Sequence, residues 1–153
     1  MIIHKLVLAA LVLTPPALAQ DRPVPVAARG DHVAISVSDL DRSADFYTRV
    51  FGFPELKAPV RNRRWLDLGG GFAMHLIPDR TAPVGVDRGN HLAFAVADFD
   101  GFVAMLVRDG IPFTDFEDKP STIQRLRTDG VRQVYIRDPD GHRIEVNDAA
   151  RQR

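Results

Sequence analysis

Residues 32–41 read HVAISVSDLD and residues 91–100 read HLAFAVADFD, so apolar, small and acidic positions recur at a constant offset of 59 (His32 to His91). A supersecondary unit that returns at a fixed spacing restricts a chain to architectures built by duplication. Within each copy the apolar residues alternate as on a strand, and an acidic turn follows that suits a helix N-terminus. Each copy opens with a histidine. Duplication has therefore carried a chemically useful side chain to two equivalent places.

In the first copy Val33, Ile35 and Val37 share one strand face, and His32, Ala34 and Ser36 share the other. The β-branched face needs a cover, while the small residues of the second leave space around the imidazole. Asp39 or Asp41 caps a helix whose apolar side is Ala44, Tyr47, Val50 and Phe51, and Gly52 and Pro54 end it. Residues 65–68 and 72–77 read as strands joined by Gly69-Gly70-Gly71, with Ala73, His75 and Ile77 on one face.

The second copy repeats the plan. Asp98 or Asp100 caps its helix, Gly110 ends it, and residues 111–116 form a short edge strand interrupted by Pro112. Strands at residues 133–137 and 143–147 flank the turn Asp138-Pro139-Asp140-Gly141, where Asp138 and Asp140 read as turn formers and His142 as exposed. The order β-α-β-β, with a third strand, thus occurs twice. That is an α+β fold of paired modules, each with one mostly antiparallel sheet. Module one covers residues 30–78, a linker 79–89, module two 90–148 and a short tail 149–153, together a single domain.

Residues 1–19 carry Lys5, an unbroken apolar run and Ala17-Leu18-Ala19, the pattern of an export signal with Gln20 as the first mature residue. The run is too short for a permanent span. The expectation is an exported protein, periplasmic or secreted, with no membrane attachment after cleavage and a leader over residues 20–29. Twenty basic and twenty acidic side chains leave no net charge, which speaks against a nucleic-acid partner. With no cysteine, thiolate metal sites and thiol catalysis are excluded.

The last strands echo one another as well. Gly71-Phe72-Ala73-Met74-His75 aligns with Gly141-His142-Arg143-Ile144-Glu145 at an offset of 70 (His75 to Glu145). Each module therefore offers two potential ligands, and a pseudo-two-fold relation would gather His32, His75, His91 and Glu145 in one cup. Imidazole and carboxylate donors suit one divalent first-row ion, Zn, Ni, Co, Mn or Fe(II), with positions left for water or substrate. Arg61, Arg63 and Arg64 form either a solvated loop or a clamp for an anionic substrate.

With these motifs the chain resembles the vicinal oxygen chelate superfamily, the glyoxalase, bleomycin-resistance and dioxygenase group. The resemblance rests on the His32 strand, DLDRS leading to Asp45-Phe46-Tyr47, Val50-Phe51-Gly52-Phe53, the His91 strand, and RDPDGHRIE over residues 137–145. It spans nearly all of residues 30–148. It implies paired βαβββ modules curved into a barrel or cup around a divalent metal, commonly in a homodimer, with a small-molecule substrate bound through two neighbouring oxygens. His32, His91 and Glu145 fall on common ligand positions of this family. His75 falls where glyoxalase I usually carries a glutamate that is both ligand and base.

Three functions follow as expectations. A glyoxalase I-like lyase or isomerase would use Glu145 as general base, with glutathione as a co-substrate in the closest parallel. An Fe(II) extradiol-type dioxygenase would use the two histidines and the carboxylate, assisted by Tyr135. A ligand-sequestering protein would bind without chemistry.

Overall fold

The computed structural model describes residues 28–85, 87–125 and 128–149. The export signal, most of the leader and the last four residues of the tail lie outside the described residues. No helix among those described is long and apolar enough to cross a membrane.

Module one contains β1 (His32–Ser36), α1 (Leu40–Phe51), β2 (Glu55–Leu56), β3 (Arg64–Asp67) and β4 (Ala73–Ile77). Module two contains β5 (Leu92–Ala95), α2 (Phe99–Arg108), β6 (Gln133–Arg137) and β7 (Arg143–Asn147). Asp39 caps α1 by accepting from the Arg42 N–H, and Asp98 caps α2 by accepting from Gly101. Gly52 ends α1 in the left-handed region at φ 73°, which a side chain would resist.

The first sheet runs β1-β4-β3-β2 and the second β5-β7-β6. In each, the strand before the helix joins the last strand in parallel, and the hairpin strands pair antiparallel. Ala34 lies opposite His75 across β1 and β4, and Ala93 lies opposite Glu145 across β5 and β7. The two sheets therefore share one register, and the repeat in the sequence is a repeat of strand pairing. They curve like a cup and do not close into a barrel. β1 and β5 each lie at the edge of their sheet.

One expected strand does not form. Thr114 makes only single bridges, to Tyr135 and to Pro120. Pro112 has no N–H to give a ladder, so the segment lies beside the edge strand β6 as a loop held at Thr114. Its Phe113 is buried, and Phe116 meets Tyr135 edge-on at 5.8 Å.

The core gathers the inward faces of both sheets, Leu66, Met74 and Leu76 from one and Val134, Ile136, Ile144 and Val146 from the other, all almost fully buried. The modules meet through rings and through a turn. Phe51 lies 4.9 Å from Phe94 and 5.7 Å from Phe102. The Tyr47 hydroxyl donates to Asp138 at 3.0 Å, and Asp140 accepts from the Ser38 N–H at 3.1 Å. The His142 ring reaches the Ser36 carbonyl at 2.9 Å. Asp138 and Asp140, expected as turn formers, and His142, expected to be exposed but half-buried here, thus hold module one against module two.

Candidate functional site

His91 sits at the start of β5, with its ring held at both nitrogens. Nδ1 is 3.1 Å from the Arg88 carbonyl and Nε2 is 3.3 Å from Glu145 Oε2. A carbonyl only accepts, so Nδ1 carries a proton and Nε2 is the atom turned to the carboxylate. Glu145 is 6% exposed and accepts from Tyr135 at Oε2, 2.8 Å away, and from Asn147 at Oε1, 2.7 Å away. Gln133 in turn donates to the Tyr135 hydroxyl at 2.7 Å. Alternation along β6 and β7 places Gln133, Tyr135, Glu145 and Asn147 on one face. That periodicity could have disclosed Gln133 and Asn147, which the sequence reading passed over.

This pair fits a metal. A nitrogen lone pair and a carboxylate oxygen in contact repel unless a cation, a proton or a metal ion, lies between them. Two donors about 2.1 Å from a tetrahedral ion stand roughly 3.4 Å apart, close to the separation between His91 and Glu145.

Module one presents a different arrangement. The exposed His32 ring bonds Asp31 through Nδ1 at 2.8 Å and stacks on His75, with centroids 4.1 Å apart and planes 12° from parallel. His75 stacks on Trp65 at 3.8 Å and 9°. Burial, then the neighbouring His32, holds the His75 imidazole below its usual range, which keeps it neutral and suited to stacking at neutral pH.

The single cup expected to gather His32, His75, His91 and Glu145 does not form within one chain. Among the described residues no three side chains of metal-binding type converge. His91 and Glu145 meet in module two, while His32 and His75 meet in module one. The cup expected of one module pair would need faces that a single chain keeps apart.

The arginine run also departs from a clamp. Arg64 donates to Glu55 at 2.8 Å and to Asp41 at 2.7 Å, which ties β2 and β3 to the first turn of α1. Arg63 donates to the neighbouring Asn62 carbonyl at 2.7 Å, and Arg61 is exposed. Tyr135 is buried at 4% exposure and faces Glu145 rather than open solvent.

Arg143 is an unforeseen member of the site. Its side chain is 4% exposed, and its guanidinium lies 4.3 Å over Tyr135. It donates to Asp118 at 2.8 Å and to the Phe116 carbonyl at 2.9 Å, pinning the loop. Arg88, whose carbonyl orients His91, bonds the same Asp118 at 2.9 Å. Beside them a cavity of about 400 Å³ is lined by Ile35, Arg80, His91, Leu92, His142 and Arg143.

Fold and site define a duplicated α+β protein, βαβββ in module one and βαββ in module two, with a histidine–carboxylate pair on one sheet face. The model of the Glyoxalase/Bleomycin resistance protein/Dioxygenase superfamily matches residues 29–146, and the chain belongs to that family. It is 29% identical over 123 residues to the metallothiol transferase FosB of Shouchella clausii strain KSM-K16, covering 76% of this chain and 77% of that one. It is 28% identical over 127 residues to Glyoxylase I 4 of Arabidopsis thaliana, covering 76% and 68%. Among solved structures, Oxidase ChaP-H2 superposes with a TM-score of 0.66 at 22% identity, covering 80% of this chain and 94% of that chain. Lactoylglutathione lyase from Agrobacterium tumefaciens superposes with a TM-score of 0.59 at 24% identity, covering 82% and 95%. At these identities the two superpositions establish the fold alone.

Proposed function

We propose that this chain is a divalent-metal-dependent enzyme, a glyoxalase-like lyase or isomerase acting on a small substrate held through two neighbouring oxygens. Its site takes His91 and Glu145 from one copy and His32 from a second copy in a homodimer. The observation that carries this reading is the contact of His91 Nε2 with Glu145 Oε2 at 3.3 Å, each orientation set by its own hydrogen bonds. The open edges of β1 and β5 and the exposed face of β1 support the second copy, since an unpaired strand edge is a ready partner for another chain.

When bound, the ion supplies Lewis-acid polarisation of two adjacent oxygens. The protein does the rest. Arg88 and Asp31 set which nitrogen of His91 and His32 is free to bind. Asn147 and Tyr135 hold the Glu145 carboxylate, the acceptor for a substrate proton. Arg80, Arg143, Asp87 and Asn90 give the adjoining cavity a polar lining suited to an oxygen-rich substrate. A thiol-transfer reaction is a second reading, favoured by the 29% identity to a metallothiol transferase.

Metal content of the purified protein tests the proposal, followed by mixing His32→Ala with Glu145→Gln chains. If each site spans two chains, the mixture regains roughly a quarter of the metal sites of wild type through heterodimers. No regain overturns the shared site. Failure of the unaltered protein to take up Zn, Ni or Fe(II) overturns metal catalysis and leaves ligand sequestration. Retained iron with catechol turnover would establish the dioxygenase instead.

A further inference from the structure

Trp65, His75 and His32 form a ladder of three parallel rings that crosses the first sheet from β3 through β4 to β1. Trp65 and His75 are directly opposed in register, and His75 lies opposite Ala34, whose small side chain leaves room for the His32 ring. The spacings are 3.8 Å and 4.1 Å, with tilts of 9° and 12°. Both faces of His75 are therefore covered.

A metal ion bound to imidazole lies in the ring plane, along the nitrogen lone pair, about 2.0–2.1 Å from the atom. Two planes tilted by 12° with centroids 4.1 Å apart share no such point. His32 and His75 in this arrangement do not bind one ion together. His32 needs its orientation supplied from elsewhere, because it stands at an exposed sheet edge with one hydrogen bond, to the exposed Asp31.

We infer that His75 is a positioning residue, not a ligand or a base. With Trp65 behind it, it forms a rigid aromatic shelf that fixes the plane of His32, while Asp31 fixes its tautomer. The inference rests on the proposed metal role of His32, but the shelf itself is a property of the chain without metal. Groups that orient a ligand change metal affinity about 10- to 100-fold when removed. An aromatic ring without nitrogen should therefore replace His75, and a methyl group should not.

The test compares wild type with His32→Ala, His75→Phe, His75→Ala and Trp65→Ala. Without metal, the His32 Hε1 resonance should stay shifted upfield in His75→Phe and move toward the free-imidazole position in His75→Ala. An unchanged resonance in His75→Ala overturns the shelf. With Co(II), His75→Phe should keep the visible absorption spectrum and bind within about threefold of wild type. His75→Ala and Trp65→Ala should bind roughly 10- to 100-fold more weakly with unchanged stoichiometry. If His75→Phe loses Co(II) as fully as His32→Ala, or alters the spectrum, His75 is a ligand and the inference fails. If wild type binds no Co(II), the proposed function fails, and the metal-free resonance still decides the shelf.

Discussion

The Tyr47 hydroxyl donates to the Asp138 carboxylate at 3.0 Å, joining the middle of the first helix to the last turn of the second module. Tyr47 is fully buried. Burial first, and the Asp138 charge after it, hold the phenol far above its usual range, so it remains a donor at every accessible pH. Asp138 also accepts from the N–H groups of Asp140 and His142, so the tyrosine completes a built carboxylate site. Hydrogen bonds to charged groups contribute about 1.5–3 kcal/mol. Tyr47→Phe should lower unfolding stability by about 2 kcal/mol in denaturant titrations and leave metal content unchanged.

Asp140 makes the second link between the modules. Burial pushes its carboxyl upward, but the Ser38 and Ser43 donors and the nearby Arg42 outweigh burial and hold it below the usual range. A carboxyl depressed in the folded state adds stability above its unfolded pKa, about 3.9 for aspartate. That stability is lost as pH falls through the folded pKa. Stability should therefore decline in acid, beginning below about pH 5. Asp140→Asn should flatten this decline in unfolding free energies measured across that window. An unchanged slope would show that the link does not titrate in this way.

Tyr135 and Asn147 each hold one oxygen of Glu145. Tyr135→Phe removes one donor while keeping the ring under Arg143 and against Phe116. Metal affinity in this variant should fall about 10- to 100-fold in competition titrations with a chelator, while stoichiometry persists. Equal affinity would show that Asn147 alone is sufficient.

Arg143 secures the loop that replaces an edge strand. Its stem and guanidinium are buried against Tyr135 and Phe116, and Asp118, its ionic partner, is 40% exposed. Arg143→Met keeps much of the apolar contact but abandons the loop carbonyls. A loss of about 2 kcal/mol is expected, less than for a fully buried ion pair because Asp118 can rehydrate. Proteolysis should then increase within residues 115–124, which limited digestion would show.

Much of the fold was legible because it rests on local chemistry. Asp39, Asp98 and Gly52 sit where short-range hydrogen bonding and backbone freedom require them. The exception, the segment around Pro112, is instructive. Its apolar pattern suits a strand, but a strand also needs a continuous donor row, and with Pro112 in it the segment keeps one bridge to the β6 edge while Phe113 is buried in the core. Arg64 shows the same limit for function: nothing near it in sequence says that Glu55 and Asp41 will surround it.

From the sequence alone came the duplication, the alternation that puts His32, His75, His91 and Glu145 on equivalent faces, and the family those motifs define. Strand period, helix caps and repeat offset depend on neighbours along the chain, so they survive without coordinates. Tertiary structure alone decided which of these side chains meet. His91 meets Glu145 because β5 lies beside β7, and His75 meets both His32 and Trp65 because β4 lies between β1 and β3. Those contacts depend on the register of strands tens of residues apart and on ring planes within a shared face. No periodicity along one strand encodes either.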